Sequence, residues 1–563
     1  MISVDNVMQQ NLPKLEQRPW LRKPASWVLK HLLHEREIQA FQQQYPALDG
    51  IEFVEQVLDF FHFSYSVRDS ELERIPSHGR TVIIANHPIG SLDGLALLKL
   101  ISDIRSDVKI LANDWLMQLP PLQPLLLPVN TFAGKTAKQT VNAVAEHLNN
   151  DGAVIVFPSG EVSRLRPQGG RDTRWQKGFL RFARSTKAAI LPIYINAHNS
   201  AWFYGASMVY KPLATALLVK EMFRQQAKSI SFRIGEVIPY EAFGQDPAPL
   251  PNQVQRFRRH LYRMGRDKSL VFPTLPAVAK PESRQALKNA VEACEWLGET
   301  PDGKAIYLYR YQGSSPILRE IGRLRELAFR AVGEGTWQRR DLDNYDAYYF
   351  QLILWDPNQL EIVGAYRLGD SAKIQAEKGE QGLYSRAFFV YQNAMQQYIE
   401  NGLELGRSFV QPRYWGKRSL DYLWQGIGAF LRKHPNYRYL FGAVSMSGEF
   451  PAPVQDAIVQ FYKYYFPTQQ LAVMPITPFL LQQENPDYRV SGDYQKDFAN
   501  LKQLCTDHHV SIPTLYKQYA ELCEPGGVQF LGFGLDKAFN SVDGLVLVDI
   551  HRLKEKKRRR YLA

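Results

Sequence analysis

His87 and Asp93 stand six residues apart in the segment Asn86-His87-Pro88-Ile89-Gly90-Ser91-Leu92-Asp93. The segment follows a short apolar run, TVIIA, that reads as a buried strand, and it leads into a helical pattern, LALLKL. Pro88 and Gly90 shape the turn, which is able to return Asp93 to one imidazole nitrogen. A carboxylate there fixes the tautomer and stabilises the charged ring, and the other nitrogen is free to take a proton from a hydroxyl. A hydroxyl activated in this way attacks a thioester directly, with no serine nucleophile. A turn histidine beside a helix-capping aspartate has the same spacing, so the pair alone leaves both readings open. A second segment, Phe157-Pro158-Ser159-Gly160-Glu161-Val162-Ser163-Arg164, also follows an apolar run, AVIV. Its amides and Arg164 offer hydrogen bonds to an anionic or carbonyl oxygen. Ala189-Ile190-Leu191-Pro192-Ile193 supplies a third strand end.

A different constellation lies further on. Glu404 and Arg407 sit in LELGRSFV and Arg367 in EIVGAYRLG, both strand-like, while Asp341, Asp343 and Asp346 cluster before YYFQLIL. Buried charges must be paired, so an ion network is the minimum inference. An inter-strand network that only holds a sheet meets that requirement. So does a site in which Arg367 and Arg407 grip a carboxylate and Glu404 accepts a proton.

The elements that position these residues fall into two α/β patterns. From 71 to 245, TVIIAN, VKILAN, AVIVFPSG, ILPIYIN and ISFRIGEVI read as strands, with KTAKQTVNAVAEHLNN and WQKGFLRFARSTK as helices between them. LMQLPPLQPLLLPV is apolar but broken by prolines, so it predicts a rigid loop able to line an acyl chain or touch lipid. Residues 1–70 read as a helical arm containing WVLKHLLHEREIQAFQQQ and FVEQVLDFFHF. Residues 246–285, with DPAPLPNQ and FPTLPAVAKPES around one basic helix, read as a proline-rich linker. The second pattern occupies 286–563: YYFQLILWD, EIVGAYRLG, LELGRSFV, YLFGAVSM and DGLVLVDIH as strands, SLDYLWQGIGAFLRKH as a helix, and a helix capped by Ser315 with Pro316 in its first turn.

Bulk composition narrows the classes. The 563 residues exceed one ordinary core. Three cysteines without metal-like spacing fit a reduced compartment. No long apolar run predicts a transmembrane helix, and the opening residues lack a signal-peptide core. These features argue against a membrane-lytic hemolysin. A net charge of +12 suits nucleic acid, anionic lipid or an acidic carrier protein; with no nucleic-acid reader motif, no nucleic-acid partner is expected. The cluster Lys554-Glu555-Lys556-Lys557-Arg558-Arg559-Arg560 is either a solvated tail or a contact for anionic headgroups. No metal site is visible.

NHPIGSLDG, FPSGEVSR and ILPIYI, in that order, resemble the glycerolipid acyltransferases related to bacterial lysophosphatidic acid acyltransferase, and most of all the branch labelled "putative hemolysin". That branch carries five residues between His and Asp, and Ser159 before Gly160 with Glu161 after it. The resemblance implies His87 as general base, Asp93 as its orienting partner, and Gly90, Ser159, Gly160, Glu161 and Arg164 as substrate-binding residues. It also offers Trp175, Lys177 and Gly178 for the acyl-donor entrance, with core and surface roles equally open to them. In the second half, Arg325, Phe329, Trp337, Asp341, Asp343, Asp346, Arg367, Glu404 and Arg407 resemble the succession in GNAT-like enzymes that move an acyl group from acyl carrier protein to an amine. LELGRSFVQPRYWGKRSLDYLWQGI and GGVQFLGFGLDKAFNSVDGLVLV are similar to N-acyltransferases that make lyso-ornithine lipid.

What the two resemblances imply together is a bifunctional ornithine-lipid synthase built from two different α/β domains, an N-terminal O-acyltransferase and a C-terminal GNAT-like N-acyltransferase. Glu404 would be catalytic, and Arg325, Trp337, Asp341, Asp343, Asp346, Arg367 and Arg407 would bind substrate. Only Gly416 and the pair Lys417-Arg418 remain of a pyrophosphate loop, so the expected donor is an acyl carrier protein thioester, with no bound cofactor. The expected partners are acyl carrier protein, an anionic membrane surface, and amino-acid and lyso-lipid acceptors, at the cytoplasmic face of a bacterial membrane. A lysophosphatidic acid acyltransferase, or a glycine or glutamine lipid synthase, would differ only in the acceptor.

Overall fold

The structure is a computed structural model; it describes residues 35–45, 47–90, 92–112, 116–128, 135–166, 169–200, 220–481, 488–537 and 539–562. The chain divides into two compact units at Ala277/Val278.

The first unit is built on a seven-stranded sheet. In chain order its strands are β1 (Ser64–Ser66), β2 (Thr81–Ala85), β3 (Val108–Ala112), β4 (Leu126–Pro128), β5 (Ala153–Val156), β8 (Ala189–Asn196) and β9 (Ser229–Ile234). A short hairpin of β6 (Arg164–Arg166) and β7 (Gly169–Arg171) lies between β5 and β8. The spatial order is β1-β9-β8-β2-β5-β3-β4, all parallel neighbours except the antiparallel pair β8–β9. Each central strand is apolar on both faces because helices cover both. Ile83, Ile155 and Leu191 face the helices Gly50–Phe60 and Leu92–Ser102, while Val82, Val154 and Ile190 face Lys135–Asn149, Gly178–Thr186 and Leu250–Met264.

Two boundaries read from the sequence change here. Helix Gly50–Phe60 buries Val54 and Leu58, and β1 joins the sheet, so the second half of the predicted arm belongs to this unit's core. Glu35–Gln44 is helical, and the rest of the arm lies outside the described residues. Helix Leu250–Met264 buries Val254, Phe257 and Leu261 under the sheet; it is a structural layer, and the predicted linker shrinks to the prolines around the unit boundary. The proline-broken segment forms two short 3-10 turns leading into β4, and Leu122 and Leu126 are buried in the core.

The second unit has an eight-stranded sheet. Its elements are β10 (Glu295–Glu299), β11 (Ala305–Tyr309), β12 (Phe350–Asp356), β13 (Glu361–Asp370), β14 (Phe389–Tyr391), β15 (Gly402–Val410), β16 (Tyr439–Ser447), β17 (Val473–Pro475), β18 (Val528–Asp536) and β19 (Ser541–Asp549), with β14 and β17 paired separately. The main order is β10-β11-β12-β13-β15-β16-β19-β18, antiparallel except for β15–β16. That parallel pair holds only from Gly402–Glu404 to Tyr439–Phe441. Beyond it the strands part, because β15 bulges opposite Tyr366 and Arg407 takes a left-handed φ of 48°. Along β12, Leu352 and Leu354 join the core under helix Ser419–Lys433, while Ile353 and Trp355 join the one under helix Pro316–Arg330. The latter helix starts as the sequence predicts: Ser315 Oγ accepts from the Leu318 amide, and Pro316 occupies the first turn.

Candidate active sites

In the first unit β2 lies between β5 and β8, and the carboxyl ends of all three converge. Crevices at such ends are where open α/β sheets bind ligands. Asn86 extends β2 by one residue and clamps β8, donating to Ile195 O at 2.9 Å and accepting from Ile195 N at 2.7 Å. His87 follows. Its Nδ1 faces Asp93 Oδ2 at 3.2 Å, an ion-pair separation without the alignment of a full hydrogen bond.

Asp93 is fully buried in the first turn of helix Leu92–Ser102, and three amides donate to it: Ile89 at 2.9 Å, Gly90 at 3.1 Å and Gly94 at 2.9 Å. The aspartate therefore closes the turn and faces the histidine together, so the two readings of the motif are one structure. Burial alone would raise the Asp93 carboxyl; the neighbouring His87 and these hydrogen bonds outweigh it and hold the carboxyl below its ordinary value. Burial likewise opposes a charged His87, yet Asp93, with help from Asp172, carries the imidazole above its ordinary value. Nδ1 is buried, 15% of the side chain remains exposed, and among the described residues Nε2 has no hydrogen-bond partner. Phe157 stacks on the ring with centroids 4.0 Å apart.

The FPSGEVSR loop is tied to this turn through the backbone: the Ser163 amide donates to His87 O at 2.8 Å. Gly160 adopts φ 65°, a conformation that favours glycine. Ser159 Oγ donates to Glu161 O at 2.7 Å, and Arg164 pairs with Glu161 at 2.7 Å. The amides of Gly160 and Ser163 are already bonded, to Phe157 O and His87 O, so neither is an oxyanion donor as the loop stands. Glu161 and Arg164 remain partly exposed beside His87.

Sequence reasoning missed Asp172. It is fully buried and accepts from the His87 amide at 3.2 Å, Ser163 Oγ at 2.6 Å and Trp175 Nε1 at 2.9 Å, binding both motif loops to one carboxylate. Nothing in GGRDTRW distinguishes that aspartate from a surface one. Its grip also explains Trp175, which is buried as a support for Asp172. Lys177 is exposed just before helix Gly178–Thr186.

In the second unit the expected ion network exists: Arg367 and Arg407 meet the Asp cluster, and Glu404 stands outside it. Arg325, fully buried, donates to Asp346 at 2.8 and 3.1 Å and to Gln351 Oε1 at 2.8 Å. Arg367, also fully buried, donates to Asp343 at 2.6 Å and to Asp346 at 3.4 Å, with the rings of Tyr345, Tyr349 and Tyr384 around it. Burial alone would raise Asp346; Arg325 and then Arg367 carry it down to about 2. Asp341 is pushed up by burial despite Arg407. Arg325, Arg367 and Asp346 are thus committed to one another and hold helix Pro316–Arg330 to β12 and β13. Arg407 is different: it lies 3.6 Å from Asp341 and 3.5 Å from Asp343 and makes no hydrogen bond among the described residues. Trp337 is 39% exposed in the loop after that helix, with Arg330 over its ring.

Glu404 meets neither arginine. Its carboxylate accepts from the Tyr349 hydroxyl, the Tyr384 amide at 3.0 Å, the Ser385 amide at 2.7 Å and the Ser385 hydroxyl. Four donors occupy its lone pairs, so it anchors residues 384–385 to β15 and has no capacity left as a general base. The basic C-terminal cluster also changes character. It is helix Glu555–Tyr561, docked by buried Tyr561, whose hydroxyl donates to Asp421 at 2.8 Å, and by the Arg560–Asp421 pair. Lys417 and Arg418 are exposed ahead of helix Ser419–Lys433. Among the described residues no cluster of His, Cys, Asp and Glu is arranged to hold a metal ion.

Comparison with known proteins agrees with this division. Residues 8–269 match the family described as Acyltransferase, and residues 324–425 match the Acetyltransferase (GNAT) domain. A Glycine N(alpha)-acyltransferase of Bacteroides thetaiotaomicron is 32% identical over 303 residues, 51% of this chain and 89% of the relative. A Lyso-glycine lipid O-acyltransferase of the same bacterium is 31% identical over 256 residues, 44% of this chain and 92% of the relative. The chain belongs to the aminolipid acyltransferase family. An L-ornithine N(alpha)-acyltransferase of Brucella abortus is similar too, 29% identical over 278 residues, 44% of this chain and 92% of that protein. The protein is therefore an acyl-transferring enzyme, with an acyltransferase domain followed by a GNAT domain. Among the described residues no helix is long and apolar enough to cross a membrane.

Proposed function

We propose that this aminolipid acyltransferase is bifunctional: the GNAT unit acylates the α-amine of an amino acid, and the first unit then acylates the hydroxyl of the resulting lyso-lipid. The observation that carries this reading is the presence, on one chain, of likenesses to an N-acylating and an O-acylating enzyme that occur as separate proteins in one bacterium. In the O-acylating step Asp93 holds Nδ1 of His87, Nε2 takes the hydroxyl proton as the oxygen attacks the thioester carbonyl, and the departing thiolate receives that proton. Arg164, Glu161 and the Gly160 turn stand where the acceptor or the developing oxyanion would lie, provided Arg164 leaves Glu161. In the GNAT unit the parted strands β15 and β16 leave backbone amide groups unpaired along their facing edges, a surface on which an extended amide chain such as phosphopantetheine finds partners. The exposed pair Lys417-Arg418 offers charge to its phosphate, and the proposed donor is an acyl carrier protein carrying a 3-hydroxyacyl group, on the sequence resemblance.

Ornithine is the proposed acceptor, on the sequence resemblance and the likeness to ornithine N-acyltransferases. Glycine is the second reading, favoured by the 32% identity to a glycine enzyme. Because its product is a lipid, the chain is expected to work at the cytoplasmic face of a membrane. The test is expression in a host free of aminolipids, followed by mass spectrometry of extracted lipids. A diacylated ornithine lipid supports the reading, a glycine headgroup selects the alternative, and no new aminolipid from abundant protein rejects both.

A further inference from the structure

The GNAT unit holds a second group of carboxylates that the ion network does not use. Asp543 on β19 has Ser445 of β16 and Gly534 of β18 as its partners across the sheet. Side chains of such partners share a face, so Asp543 and Ser445 point the same way, while at Gly534 that face is covered by Pro475 and Thr477. Asp536 stands two residues beyond Gly534, opposite Ser541, on the same face. Glu334 reaches it from the loop after helix Pro316–Arg330, where Ser445 Oγ donates to its carboxylate at 2.7 Å. Ser541 Oγ donates to Asp543 at 2.9 Å. Among the described residues neither Glu334 nor Asp543 has a cation within ion-pair distance, although Asp543 is 5% exposed.

A cation faces them. The Arg407 side chain is nine-tenths buried, forms no hydrogen bond among the described residues and leaves Nε without a partner. Its guanidinium packs on Phe539, 4.4 Å from the ring centroid, in the turn that joins β18 to β19 and lies between Asp536 and Ser541. Arg407 thus leans from β15 across the gap where β15 and β16 part, toward the hairpin that carries the carboxylates. Arg407, which Asp341 and Asp343 hold at ion-pair distance without a hydrogen bond, and these carboxylates lie on the two sides of the opening where β15 and β16 part. A free amino acid presents the same pattern reversed, a carboxylate and an ammonium borne by one carbon. A lipid amine or a peptide nitrogen lacks the free α-carboxylate.

We propose that this opening is the amino-acid pocket of the N-acylating reaction: Arg407 takes the acceptor's carboxylate, Glu334 and Asp543 take its ammonium, and Asp543 removes a proton from it. The proposal rests on the N-acyltransferase reading given above. The steps balance as follows. The ammonium gives one proton to Asp543, and the freed lone pair attacks the thioester carbonyl. The carbon–nitrogen bond forms, the carbon–sulfur bond breaks, and the second nitrogen proton passes to the departing thiolate. Asp543 returns its proton to water. Glu404, saturated by four donors, takes no part.

Burial, and then the charge of Asp536, push Asp543 up to about 7, with Ser541 and Arg407 pulling the other way. Burial also raises Glu334 despite its bond from Ser445. The groups facing Asp543 are Asp536 and Ser541 of its own hairpin, Glu334, Ser445 of β16, Arg407 of β15, Tyr384, and Tyr516 of helix Thr514–Ala520. The titrating group is therefore Asp543, with Asp536 as its foremost charged neighbour.

The test uses the purified full-length chain with a 3-hydroxyacyl thioester on acyl carrier protein, ornithine or glycine as acceptor, and mass-spectrometric initial rates. For the wild-type chain kcat/KM should rise with pH through about 7. The corresponding amino-acid amide, which lacks the carboxylate, should show a KM raised about tenfold or more with kcat less affected. Asp543→Asn should lose the rise and about a hundredfold in kcat; Glu334→Gln should mainly raise the acceptor KM. A wild-type profile flat between pH 6 and 8, an amide acylated as well as the acid, or Asp543→Asn within about threefold of wild type with the same limb overturns the proposal. The first two readouts need no variant to fold. A wild-type chain that acylates no amino acid, while still acylating a supplied lyso-lipid, rejects the N-acyltransferase reading itself.

Discussion

On the proposed reading the two units face one chemical problem, delivery of a thioester's acyl group to a weak nucleophile, with opposite resources. The first has a histidine, Nδ1 toward a fully buried aspartate and Nε2 open, at the meeting point of three strand ends. The second brings no histidine to its opening; it has arginines and carboxylates around two strands that part. A hydroxyl has no useful nucleophilicity until a base shares its proton, whereas an amine needs only to be held and relieved of one proton. The difference in residues thus matches the proposed difference in acceptor, oxygen in one unit and nitrogen in the other.

The sharpest way to break that comparison is to remove the histidine. His87→Ala should cut O-acylation of a supplied lyso-lipid by about a thousandfold or more and leave N-acylation within about twofold, so that monoacylated product accumulates. Equal loss of both activities would mean that the division between the units is wrong. The wild-type O-acylation rate should rise with pH through a value above the ordinary 6.5 of histidine, because Asp93 raises His87 and only the neutral ring accepts a proton.

Asp93→Asn should have the next largest effect, about a hundredfold on O-acylation, because the amide no longer fixes the tautomer. It also bears on stability. A raised histidine stabilises the native state below its ordinary value and loses this as pH climbs through the folded value. A lowered carboxyl contributes above its ordinary value and loses this as pH falls through the folded one. Both terms are full only between the ordinary Asp and His values, so the melting temperature of Asp93→Asn should fall furthest below wild type near pH 5 to 6.

Glu404→Gln separates support from catalysis in the second unit. It should lower stability by about 1–3 kcal/mol through its unsatisfied donors, yet leave the pH profile of N-acylation unchanged in shape. A lost pH limb with unchanged stability would make Glu404 the base after all. The smallest effect is expected of Ser163→Ala, which removes one bond to Asp172 and should slow O-acylation severalfold, about 1 kcal/mol in kcat/KM.

Continuous apolar runs are a good guide where a strand is buried on both faces: TVIIA, AVIV and ILPIYIN read as buried strands, and each one is a strand of the sheet interior. Local spacing was enough to pair His87 with Asp93, since the turn between them is short. It was not enough where partners come from far along the chain. Asp172 binds two loops that precede it, and GGRDTRW carries no periodic or capping signal of that duty. Glu404 on a buried strand looked catalytic, because the residues that saturate it, Tyr349, Tyr384 and Ser385, come from other segments. The basic C-terminus looked like a tail because the signal that docks it is one tyrosine, Tyr561, whose partner Asp421 is on another helix.

One measurement tests the central claim most directly: a time course with the purified chain, an acyl carrier protein-linked 3-hydroxyacyl thioester, an acyl carrier protein-linked second acyl donor and isotopically labelled ornithine or glycine. Two acyltransferases working in sequence predict a labelled monoacyl species that appears first and is consumed as a diacyl species forms, and His87→Ala should arrest the course at the monoacyl stage. Labelled amino acid that stays unacylated while lysophosphatidic acid is acylated by the same preparation would contradict the account.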